Sequence, residues 1–152
     1  MVSLYGFDNI TLIVWHAQPN ERAVDRLHRL TERRRKQFPG GISVIHLVKV
    51  DIALPDQPTR DAFVRLMKTS NGALACVAVV VGGAGFWAST ARSMVTGMRV
   101  LARGQFDMRL HGESSEVVKW LPEKHAARTG VQVDAALLEK ALQQIEAEHD
   151  AS

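Results

Sequence analysis

The run Ala73 to Val81 contains only alanine, leucine, cysteine and valine. Gly82-Gly83-Ala84-Gly85 follows it directly. This pairing limits the fold more than any other stretch of the chain. No charge occurs from Thr69 to Ala91, so a membrane helix has to be weighed. Glycines in the middle, polar residues at both ends and a short apolar part speak against a span. A buried strand, a glycine turn and a helix account for the segment better. Apolar on both faces, the strand belongs inside a covered sheet. After the turn, Trp87, Ala91, Met94, Val95, Met98, Leu101 and Ala102 form one helical stripe. Ser89, Arg92, Ser93, Thr96, Arg99 and Arg103 form the opposite one.

Similar units precede and follow. Ile10–Val14 reads as a strand, and Leu4–Phe7 as a short strand or arm before it. Asn20 can cap a helix that Pro39-Gly40-Gly41 stops. Ile42–Val50 is a second covered strand. Thr59 then stands where a cap belongs, and Asn71-Gly72 ends the helix that follows. Phe106, Met108 and Leu110 alternate with polar residues, as on a half-buried edge strand. Ser114 or Ser115 caps a short helix with Pro122 near its end. Thr129-Gly130 breaks the chain before a last helix, about Asp134 to Glu148. Alternating strands and helices predict an α/β fold: a small, mostly parallel sheet of four to five strands covered by helices, plus a C-terminal helix. The expected division is an α/β domain over residues 1–125 and a helical extension over 126–152.

Composition narrows the functional classes. With 152 residues, 46% hydrophobic and 23% charged, the chain can bury its own core without staples. One cysteine excludes an intrachain disulfide or a multi-thiolate zinc site. The six histidines show no metal-like spacing, so neither metal nor cofactor is expected. The N-terminus shows no secretory pattern, which suggests a cytoplasmic protein without a transmembrane span. Net charge is only +3 but uneven: about +4 over Glu21–Lys36 and about −4 over Asp134–Asp150. Acidic residues interrupt the basic stretch, so it reads as a solvated helix face and no nucleic-acid partner is expected.

The element order, with Gly85-Phe86-Trp87-Ala88, Arg92-Ser93, Thr96-Gly97 and Glu116-Val117-Val118-Lys119-Trp120-Leu121, resembles the STAS (sulfate transporter and anti-sigma factor antagonist) domain in a divergent, stand-alone form. The likeness covers about residues 9 to 122. It implies a signalling and regulatory role without catalysis, exercised by binding a protein partner. In that family a serine or threonine at the start of the helix after the second core strand is phosphorylated, commonly within Asp-x-Ser-Gly. Here only Thr59 holds the corresponding place; the glycine is missing and the loop has two prolines.

Candidate sites follow. Thr59 is a phosphoacceptor or a helix cap. Gly82, Gly83 and Gly85, with Ser89 and Arg92 a turn later, could hold an anion at a helix start; a tight structural turn is the competing reading. This gives the alternative function, a module for a small anionic ligand or a lipid. Leu138, Leu142 and Ile145 form a narrow stripe on an acidic last helix, for a homodimer contact or for packing on the chain's own sheet. An enzyme of unknown reaction is the second alternative. It lacks a Gly-x-Ser-x-Gly elbow, and Asp51 and Asp56 read as turn and cap.

Overall fold

The structure is a computed structural model and describes residues 2–150. Strands β1 (Val2–Phe7), β2 (Ile10–Trp15), β3 (Ile42–Val48), β4 (Leu74–Val81) and β5 (Asp107–His111) lie in the order β1-β2-β3-β4-β5. β1 pairs antiparallel with β2 through a tight turn in which Asp8 takes a positive φ of 53°. All other pairings are parallel. The fold is therefore α/β with a mixed, mostly parallel sheet. β4 lies inside that sheet, as its uniform apolarity requires, and β5 forms an edge.

This strand order dictates where the helices go. α1 (Glu21–Gln37), α2 (Gln57–Thr69) and α3 (Gly85–Ala102) each connect two adjacent parallel strands. Right-handed crossovers between strands laid down in one direction put all three helices on the same face. Ile13, Trp15, Val44, Val77 and Val79 meet them there. The opposite face presents Ile10, Leu12, Val14, Ile45, Leu47 and Val80. Only chain beyond β5 is left to cover it, and α4 (Ser114–Thr129) and α5 (Ala135–Asp150) do so.

That geometry decides between the two expected uses of the last helix's stripe. Leu138, Leu142 and Ile145 are 0%, 1% and 8% exposed and pack into the same core as β2, β3, β4 and α4. The stripe is used within the chain and is not a free interface. The division at 125/126 is corrected too, because it would cut α4, and α5 closes the same core. α4 passes through Pro122 and continues to Thr129, longer than the proline suggested. Its second half is held by fully buried His125.

Local signals act as expected at α1 but not at α4, whose N-cap is Glu113 without a side-chain cap bond, while Ser114 and Ser115 already belong to the helix. Asn20 Oδ1 accepts from the Ala23 amide at 2.8 Å and caps α1. Arg34 reaches across from α1 to the β1–β2 turn, donating to the carbonyls of Asp8 and of Ile10. Among the described residues, no helix is long and apolar enough to cross a membrane.

Candidate functional sites

The expected anion site is partly assembled. Gly83, Gly85, Ser89 and Arg92 line one shallow surface groove, together with Ser93 and Thr96. Gly82 is not part of that lining; a side chain there would approach the Gly112 carbonyl. Gly83 and Gly85 have φ of 83° and 87°, so the turn uses glycine's freedom directly. The Arg92 guanidinium faces inward. Its Nη2 donates to Val81 O at 3.1 Å and Gly83 O at 3.0 Å, and its Nε donates to Val81 O at 3.3 Å. Arg92 thus ties the end of β4 to the turn. The N-cap of α3 is Ala84, which offers no side-chain acceptor to the first-turn amides.

Thr59 is placed differently from the expected cap. Asp56 is the N-cap of α2, and its carboxylate accepts from the Thr59 amide at 3.0 Å. Hydrogen bonds from the Thr59 hydroxyl, first, and its amide hold the Asp56 carboxyl below its ordinary range. Thr59 itself is 1% exposed. Pro58, the second residue of α2, has no amide to donate, so the Asp56 carboxylate takes the next one, at Thr59.

Three clusters escaped the sequence reading. The first lies outside the carboxyl ends of β2 to β5, where open α/β sheets usually bind ligands. A crevice of about 350 Å³ is lined by His16, Lys49, Glu113, Glu146 and His149, with Gly82 and Gly112 among its walls. The His16 and His149 rings lie 4.3 Å apart, steadied by Ser3 at 2.8 Å and Tyr5 at 2.7 Å. Burial, then the neighbouring His149 and Lys49, push the His16 pKa down. The ensemble can hydrogen-bond and exchange protons with a polar group. The signal available in the sequence was position: His16, Lys49, Gly82 and Gly112 each directly follow a strand.

The second cluster is buried. Ser43 Oγ lies 2.5 Å from His125 Nδ1, and His125 Nε2 lies 2.8 Å from Asn9 Oδ1. Asn9 Nδ2 donates to Gly41 O, so Oδ1 is the acceptor and Nε2 carries the imidazole proton. Ser43 then donates to Nδ1. The residue types resemble a nucleophile–base–orienter set, but Ser43 and His125 are both 0% exposed. A substrate has no approach, and burial keeps His125 neutral by lowering its pKa. The network fastens α4 to β3 and to the β1–β2 turn. Cys76 is equally buried, and burial raises its thiol pKa, so it packs as a small hydrophobe.

The third is an apolar cavity of about 120 Å³ between the sheet and α1, α2 and α3. Trp15, Val77, Phe63, Met94 and Met98 are among its walls, and Ile52, Leu54 and Pro55 of the β3–α2 loop close one end. His46 stands in the wall. Its Nδ1 accepts from Trp15 Nε1 at 3.0 Å, and burial lowers its pKa to about 4. An unfilled void of this size would forfeit about 3 kcal/mol, at roughly 24 cal/mol per Å³.

Among the described residues, no group of three or more histidine, cysteine, aspartate or glutamate side chains could hold a metal ion. A scan against protein-family models and searches of curated proteins and of solved structures found no match to this chain.

Proposed function

We propose that this chain is a STAS-like regulatory module of the cytoplasm that acts without catalysis, by docking a protein partner on the carboxyl edge of its sheet. The observation that carries this reading is Phe86. It stands in the first turn of α3 and is 88% exposed. Val50, on the same edge, is 46% exposed and packs against the Gly83 backbone. A rigidly mounted, solvent-facing aromatic is the residue type that anchors protein interfaces. Trp87 fixes the mount by donating from Nε1 to Ile52 O at 2.7 Å.

The test is a photo-crosslinking phenylalanine analogue at position 86, with the same group at Gln143 on the exposed side of α5 as control. In cells that make the protein, position 86 should capture one defined protein and position 143 should not. A second copy of this chain would appear as a doubled mass. Phe86→Ala should then weaken the purified complex at least tenfold without changing the circular dichroism. Equal, diffuse capture from both positions would sink the proposal.

A second reading is an anion at the groove of Gly83, Gly85, Ser89 and Arg92, favoured by the uncapped first turn of α3. Phosphate titration followed by the amide resonances of Gly85 to Trp87 tests it. Saturable shifts, weakened by Ser89→Ala, would support it; unchanged resonances would end it.

A further inference from the structure

The apolar cavity is bounded by two observations that packing alone does not require. Ser70, at the C-cap of α2, lines it and is 1% exposed. The Ser70 amide donates to Leu66 O, and its carbonyl accepts from the amides of Ala73 and Leu74. Its hydroxyl oxygen, by contrast, is buried with no hydrogen-bond partner among the described residues. A buried hydroxyl left in that condition is costly, and an alanine would cap the helix backbone equally well. The second observation is charge. No aspartate, glutamate, lysine or arginine is among the lining residues, and the one titratable group there, His46, is held neutral by burial.

We infer that this cavity binds a small, neutral, mainly apolar molecule, about the size of a substituted benzene ring, whose one polar group pairs with Ser70. Size sets the first limit: an apolar cavity of about 150 Å³ accepts benzene, and this one, at about 120 Å³, admits a single substituted ring only as the flexible side chains of its wall give way. Charge sets the second, since an ionised group would enter without a counter-charge. Met67, Met94, Met98 and Met108 line the site and can adjust their rotamers to an irregular guest. Ala53, exposed and also part of the lining, places the mouth at the β3–α2 loop. This site lies under the helices and shares Ile52 with the mount of Phe86, but its guest and its readout are separate, so either proposal can fail alone.

The experiment uses the full chain with methyl-labelled methionine and three probes: p-cresol, toluene and 4-methylbenzoate. The site predicts saturable shifts of the Met94 and Met98 methyl groups with p-cresol and quenching of Trp15 fluorescence. The benzoate should bind at least tenfold more weakly than p-cresol. Ser70→Ala should weaken p-cresol about tenfold while leaving toluene within twofold. Ser70→Cys, close in volume, provides the same comparison if the alanine variant is poorly folded. Absence of saturable methyl shifts with both p-cresol and toluene would overturn the site. Equal loss of both probes in the Ser70 variants would overturn the pairing with Ser70.

Discussion

On one face of the sheet, three crossover helices enclose a cavity of about 120 Å³ behind a wall of methionines, Trp15 and Phe63. On the other, α4 and α5 seal Leu121, Leu138, Val117 and His125 at 0% exposure. The first layer follows from connectivity, because a right-handed crossover must lie on that side whatever its fit. The second is assembled from chain that follows the sheet and is free to dock where it packs best. It also carries the polar network Ser43–His125–Asn9, which works only with one alignment of α4. One face can therefore adapt to a guest, and the other holds the fold together.

The largest expected effect comes from stripping the sealed face. Leu138→Ala should cost about 2–5 kcal/mol, since the cavity it leaves is enclosed by α4 and the sheet. Removal of residues 131–152 should leave a chain without a cooperative unfolding transition. Urea denaturation measures the first and calorimetry the second. A truncated chain that melts cooperatively would show that the two faces are not interdependent.

Acid should separate the faces next. His46 stands on the adaptable face with a pKa of about 4, against 6.5 unfolded. His125, on the sealed face, and His111 are shifted in the same direction by burial. Folded pKa values below the unfolded one mean that the unfolded chain takes up protons first. Stability should be full above about pH 6.5 and fall as the pH drops towards 4. The His46 share is about 3 kcal/mol. Urea midpoints between pH 4 and 8 give the wild-type slope. His46→Gln, which keeps an acceptor for Trp15, should flatten it and leave the His125 and His111 contribution. An unchanged slope would place the sensitivity on the sealed face alone.

A pair of enlargements sharpens the contrast at smaller scale. Val117→Ile adds a methylene at a fully buried site and should cost about 1–3 kcal/mol. Val95→Ile adds the same group at the cavity wall and should stay within about 1 kcal/mol of wild type. Equal costs would mean that the cavity wall is as rigid as the sealed core.

Arg92→Ala belongs at the same scale, at about 1–2 kcal/mol by chemical denaturation, because charge-assisted bonds to Val81 and Gly83 are lost. From the sequence, Arg92 reads as a surface residue on the polar stripe of its helix. It is half-buried and turned back on the strand. A loss below about 0.5 kcal/mol would return it to the surface class.

Much of the architecture was legible because it rests on local chemistry. Ala73–Val81 read best as a covered strand, Asn20 and the Pro39-Gly40-Gly41 stop bounded α1, and the alternation of elements named the α/β class. The candidate groove was half legible: Gly83, Gly85, Ser89 and Arg92 do meet, but the direction of the Arg92 side chain depends on which carbonyls come within reach. His16 had a signal in its place after a strand, but its pairing with His149, that of Asn9 with His125, and Ser70 with the cavity wall left no pattern, since the chain separates partners that the fold joins.

The sequence by itself determined which segments are strands and helices and which side of each is apolar, because caps, turns and periodicity act over a few residues. It did not determine the order of the strands. Tertiary structure decided that order, and with it everything that follows: three helices on one face, a bare second face, and a last helix drawn in to cover it. The physical reason is that burial depends on total apolar area removed from water, a sum over the whole chain that no single segment contains.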